Sequence, residues 1–127
     1  MSEISSKIHD LLPLREPTFF ILLSLAPGKK HGYAILKDVE ELSQGKVRLS
    51  TGTLYEGLAR LLEQGLIERV PGGEPGTGET EEEQNHPGKP RKAYHLTAIG
   101  RQVLEAETNR MQTLVAAAQR RLGKVGA

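Results

Sequence analysis

The segment Ser50 to Ile67, STGTLYEGLARLLEQGLI, constrains the fold more than any other part of this 127-residue chain. Leu54, Leu58, Leu61 and Leu62 recur at i, i+4, i+7 and i+8, the spacing of one apolar helix face. Ser50 is placed to cap that helix, since its hydroxyl can accept an orphan N–H of the first turn. Thr53 with Glu56 also fits a capping box, which leaves the start open by about three residues. Gly65 suits the position just past the last turn, where a left-handed backbone is common.

The segments after this helix set the architecture. Leu66–Val70 reads as a strand, and Ala93–Leu96 as its return strand. Between them, PGGEPGTGETEEEQNHPGKP from Pro71 to Pro90 is rich in Gly and Pro and poor in apolar residues, a loop composition. Thr97 caps a long terminal helix. Before the leucine helix, Pro17 suits a first helical turn, and Phe19, Phe20, Leu22, Leu23 and Ala26 cover most of a helix surface, as in a buried helix. Pro27-Gly28 ends it, and Lys29-Lys30-His31-Gly32 forms a turn. From Tyr33 a second helix shows Ile35, Leu36, Val39 and Leu42 on one face. Val47 and Leu49 alternate with Arg48 as a very short strand.

This order predicts a mainly α fold with a small β-hairpin. It is a winged helix-turn-helix plus a long C-terminal helix. Residues 1–96 form the winged-helix unit, with a long wing at 71–91, and residues 97–127 the terminal helix. In the terminal helix Leu104, Met111 and Ala118 recur at sevens, with Leu114, Val115 and Leu122 beside them. That stripe runs beyond a three-helix core, so it is expected to meet a second copy of the chain.

Composition excludes several classes. The 17 Lys+Arg stand against 16 Asp+Glu, so a nucleic-acid role must rest on local charge placement. There are no cysteines, hence no disulfide, thiolate ligand or thiol nucleophile. The longest apolar run, Phe19 to Ala26, falls short of the ~20 residues that span a bilayer, and the N-terminus lacks the apolar core of a signal peptide. A cytoplasmic chain without membrane contact is expected. His9, His31, His86 and His95 are scattered and have no metal-ligand spacing. No P-loop, nucleophile elbow or paired helical histidines appear. No metal, cofactor or catalytic residue is assigned, and an enzyme is not expected.

A helix that reads DNA carries small polar residues at its N-terminal end, where side chains and backbone N–H groups approach the duplex. Ser50, Thr51, Gly52 and Thr53 meet that need. Tyr55 lies about 100° from Leu54 around the helix, so it faces outward when Leu54 faces the core. The competing reading makes Tyr55 a half-buried edge of the core and Ser50 only a cap. Residues 71–88 contain five glutamates and no Lys or Arg, a formal charge of −5. Lys89, Arg91 and Lys92 follow with +3. Phosphates repel such a tip and attract such a base, so the base of the wing is the expected contact.

Three segments resemble the PadR family of bacterial transcriptional regulators: His31-Gly32-Tyr33-Ala34-Ile35, Thr51-Gly52-Thr53-Leu54-Tyr55 with Leu58, Leu61, Leu62 and Gly65-Leu66-Ile67, and Lys92-Ala93-Tyr94-His95-Leu96-Thr97 with Gly100. The resemblance covers most of residues 16–104. It implies a winged helix-turn-helix, a homodimer formed through the terminal helix, and repression by operator binding. It places Ser50, Thr51, Gly52, Thr53 and Tyr55 in the major groove and Tyr33 near the backbone. The partner is then double-stranded DNA with an inverted-repeat operator. Glu56 departs from the family pattern, in which many relatives carry proline or a small residue. Some relatives hold planar aromatic effectors between subunits. Here Met111, Leu114 and Val115 offer no ring to stack on, so a small-molecule effector has no support by this route. The alternative is a winged helix that binds a protein partner without reading DNA. A continuous positive face from Lys29, Lys30, Arg48, Lys89, Arg91 and Lys92 supports DNA, and scattered placement supports the protein partner.

Overall fold

Local sequence sets most of the element boundaries in the computed structural model, which describes residues 3–71 and 92–123. The elements are α1 (Glu3–Asp10), α2 (Glu16–Ser24), β1 (Lys30–His31), α3 (Gly32–Leu42), α4 (Thr51–Glu63), β2 (Ile67–Pro71), β3 (Lys92–Leu96) and α5 (Ala98–Leu122). Pro17 stands in the first turn of α2. Ser50 caps α4: the Thr53 N–H donates to its Oγ at 3.1 Å. Such a cap contributes about 1 kcal/mol. Gly65 leaves α4 at φ +74°, in the left-handed region where glycine carries no Cβ penalty.

Thr97 ties two junctions together. Its Oγ1 accepts from the Gly100 N–H at 3.0 Å and so caps α5. It also donates to the Gly65 carbonyl at 2.7 Å, while its own N–H donates to the Leu66 carbonyl at 3.1 Å. α5 therefore starts hard against the exit of α4. Gly100 makes that approach feasible, because a Cβ there would lie 1.9 Å from the Leu66 carbonyl oxygen.

The sheet has three antiparallel strands in the order β1-β3-β2. Ile67 pairs with Leu96 and Pro71 with Lys92, and β1 adds Lys30 opposite Tyr94. Tyr94 is buried, and burial pushes its phenol up from the ordinary value while the neighbouring Arg69 guanidinium partly offsets the rise. On the outer face Glu68 and His95 pair across the strands at 2.6 Å.

The core gathers one face from each helix. Ile21, Leu22 and Leu25 meet Ile35 and Val39, and Leu54, Leu58 and Leu61 close over them with Val103 and Leu104. Each such aliphatic side chain contributes about 1.5–3 kcal/mol when fully buried. The leucine spacing of α4 thus reads correctly, with Leu62 only partly buried.

Three expectations need correction. Lys30–His31 is a strand of the sheet, not a turn; its pairing with β3 is a tertiary contact without a local signal in two residues. Val47–Leu49 is no strand, because among the described residues no strand lies beside it. The Val47 N–H donates instead to Ser43 Oγ at 2.9 Å, and Arg48 reaches Glu40 at 3.4 Å. Leu42, expected on the apolar face of α3, is exposed because α3 ends there and no element among the described residues covers it. The wing loop, apart from Pro71 in β2, lies outside the described residues.

Among the described residues no helix is long and apolar enough to cross a membrane, and no group of three or more His, Asp or Glu side chains is placed to hold a metal ion.

Candidate nucleic-acid interface

α4 is bolted into the core along Leu54, Leu58 and Leu61, so its opposite face is presented outward. Ser50, Thr51, Gly52 and Thr53 are all exposed at its N-terminal end. Ser50 Oγ and Thr53 Oγ1 lie 2.9 Å apart and fix each other's rotamers. A Cβ on Gly52 would meet no described atom within 4 Å, and its φ is not positive. Nothing within the described chain therefore requires glycine at this helical position.

Tyr55 leaves the core on the flank of α4 and is 40% exposed. Its ring lies against the start of α3. A Cβ on Gly32 would stand 2.3 Å from the Tyr55 hydroxyl oxygen. The glycine of one motif thus admits the tyrosine of the other. Both readings of Tyr55 survive in part: it is outside the core, and it is also packed at an edge. Tyr33, one residue past Gly32, is half-buried, with the Lys37 ammonium 5.6 Å from its ring centroid. The structure therefore leaves Ser50, Thr51, Gly52 and Thr53 exposed at the start of α4 and sets Tyr55 beside Gly32, one residue before Tyr33.

The expected basic cluster fares differently. Lys89 and Arg91 lie outside the described residues. Lys92 begins β3, and only its backbone position is described. Lys30 Nζ donates to the Ser24 carbonyl at 2.6 Å and stands 3.7 Å from Asp38, so it serves the fold. Arg48 pairs with Glu40. Lys29 is exposed. The Arg48 side chain stays largely exposed beside Glu40, so of these three described cations it is Lys30 that is drawn into the fold.

Positive charge near α4 comes from elsewhere. Arg15, at the N-cap of α2, and Arg60 line a cleft beside α4 with Thr18, Leu49, Thr53 and Glu56. Sequence reasoning missed Arg15, because only the packing of α2 brings it to α4. Glu56 and Arg60 are separated by one helical turn, and no described ion pair joins them.

The terminal helix divides midway. Leu104 is buried in the chain's own core, so this member of the expected inter-subunit stripe packs inside the protomer. Glu107 is also buried. Its carboxylate accepts from Arg110 and from the Leu14 N–H, the latter at 2.8 Å. The Arg110 guanidinium holds this carboxyl below its ordinary value; burial opposes the shift and the Leu14 N–H reinforces it. Glu107 clasps the chain before α2 to α5. Its place after Gly100, Val103 and Leu104 on one helix face was the available signal. Beyond Arg110, Met111 is half-buried, Ala118 is exposed, and Leu114, Val115 and Leu122 are 55%, 54% and 69% exposed.

Comparison with known proteins agrees with this architecture. The profile described as Transcriptional regulator PadR-like family matches residues 21–106. An uncharacterised 37.1 kDa protein in transposon TN4556 of Streptomyces fradiae is 34% identical over 94 residues, covering 74% of this chain. The chain spans only 22% of that protein's length. Among solved structures, a PadR family transcription regulator from Clostridium difficile R20291 superposes with TM-score 0.63 at 22% identity, covering 85% of this chain and 99% of that one. Bacillus subtilis PadR in complex with operator DNA superposes with TM-score 0.56 at 23% identity, covering 74% of this chain and 46% of that one. These structures share the winged-helix fold with a C-terminal helix. On the profile match, which runs from α2 into α5, the chain belongs to the PadR-like family of transcriptional regulators.

Proposed function

We propose that this chain is a sequence-specific DNA-binding repressor that acts as a homodimer on an inverted-repeat operator. The observation that carries the reading is Gly52. Glycine in a helix costs roughly 0.5–1 kcal/mol relative to alanine. Here no packing within the described chain requires it. A bare Cα at the exposed start of α4 makes sense when an outside surface approaches the backbone there. Thr51, Thr53 and the helix-capping Ser50 then present hydroxyls beside the N-terminal N–H groups. Tyr33 and Tyr55 stand toward the phosphates at the α3 side. Lys89, Arg91 and Lys92 supply the charge at the wing base. That Bacillus subtilis PadR is found on operator DNA supports the same use of the shared fold.

In this reading residues 1–96 are the DNA-binding unit with its wing at 71–91. The helix at 97–127 makes the dimer through Met111, Leu114, Val115, Ala118 and Leu122, with Leu104 anchoring it to the protomer core. The site of action is the cytoplasm, and no step needs a cofactor or an enzymatic residue. Half-sites fall about one helical turn apart, because two-fold symmetry sets the operator spacing.

The test is selection of bound duplexes from a random pool by the full chain. A palindromic motif supports the reading, and failure to enrich any motif rejects it. Lys92→Ala should weaken binding to all sequences and reduce the salt slope by about 0.9. A second reading, a winged helix that binds a protein partner, draws support from Lys30, whose ammonium is held by the Ser24 carbonyl and Asp38 within the fold. Enrichment of no motif, with tight capture of one partner protein, favours it.

A further inference from the structure

Glu56 lies about 200° around α4 from the buried Leu54, at ~100° per residue, so it projects from the middle of the outward face. It is exposed and stands one turn past the exposed Ser50–Thr53 end. Among the described residues its carboxylate makes no hydrogen bond or ion pair. An acid there has no role in holding the fold. On a surface that meets phosphates it opposes binding through long-range repulsion. Arg15 and Arg60, which line a cleft together with Glu56, offset that repulsion locally. What remains is a carboxylate carried toward the floor of the groove by a helix that glycine allows to approach closely.

A carboxylate only accepts hydrogen bonds. In the major groove guanine offers N7 and O6 and thymine O4, all acceptors that repel it. Adenine offers an amino group beside the acceptor N7. Cytosine alone offers its N4 amino group with no competing acceptor at that edge. We infer that Glu56 is a specificity-determining residue that accepts a hydrogen bond from cytosine N4 at one position of each half-site. The inference rests on the proposed DNA-reading role of α4 and adds which base that helix selects.

The experiment repeats the random-duplex selection with the wild-type chain, Glu56→Ala and Glu56→Gln. Circular dichroism confirms that each variant is folded. The wild type should enrich cytosine at one symmetric position. Its preference over the other bases should be on the order of ten-fold to a hundred-fold. Glu56→Ala should lose preference at that position alone, while its affinity for unrelated duplexes rises as the negative charge is removed. Glu56→Gln gains an amide donor that suits adenine N7 and N6, so the preferred base should change from cytosine to adenine. Identical motifs from all three chains overturn the assignment and leave Glu56 as a source of repulsion only, even where the operator reading stands. A wild-type chain that enriches no motif overturns the operator reading and this assignment with it.

Discussion

Gly52→Ala separates folding from binding, because the two should move in opposite directions. Gly52 stands second in α4, with open space where its Cβ would be and no positive φ. Alanine therefore introduces no clash and restricts the unfolded chain. The gain is roughly 0.5 kcal/mol, the lower end of the glycine-to-alanine range, because the site is in the first turn. With a urea slope of about 1–3 kcal/mol per molar, the midpoint should rise by ~0.2–0.5 M. Both proteins must be compared at one chain concentration, since the stability of the proposed dimer depends on it. On the DNA side the new methyl group intrudes where the helix start meets the duplex. Affinity for the selected operator, followed by fluorescence anisotropy, should fall at least about ten-fold, or ~1.4 kcal/mol. A variant that is more stable and binds as tightly as wild type refutes the reasoning, because the bare Cα then serves no approaching surface. A variant that is less stable refutes the structural premise.

Gly32→Ala should cost about 1–3 kcal/mol in wild type, since its Cβ would overlap the Tyr55 hydroxyl, and much less in a Tyr55→Ala background. Additive losses in that cycle would contradict the contact. Glu107→Gln should cost about 1–3 kcal/mol near neutral pH, as Arg110 loses a charged acceptor. The folded carboxyl lies below the ordinary 4.5, so the wild-type advantage is complete above that value. It should fade as the pH falls below 4.5 through the depressed folded value, and urea melts that keep a constant difference down to pH ~3 would contradict this sign. Leu114→Glu with Val115→Glu should yield a folded monomer in sedimentation velocity, because both side chains are exposed on the protomer. A persistent dimer would place the interface elsewhere.

Much of the fold was legible because its signals are local. The leucines of α4 announce a helix and its buried face together, Ser50 and Thr97 mark two helix starts, and Gly65 marks an exit. What escaped was tertiary. Lys30–His31 becomes a strand only because β3 lies beside it, and α1, which packs Ile8 into the core, has too few apolar residues to declare itself. The candidate site shows the same division. Ser50–Thr53 could be placed at the exposed start of α4 from the cap signal, and Tyr55 on its flank from the leucine spacing. The Gly32–Tyr55 contact and the approach of Arg15 to Arg60 depend on how α2, α3 and α4 pack. Lys30 shows the same dependence: it looks available in sequence, and in space its ammonium is held by the Ser24 carbonyl and Asp38.

The central claim is that two copies of α4 read one duplex. Hydroxyl-radical footprinting of the full chain on its selected operator, with the chain-to-duplex ratio measured in parallel, tests it most directly. Two chains per duplex should protect two segments on one face, centred about one helical turn apart. Saturation at one chain per duplex, or protection without two-fold symmetry, would contradict the account.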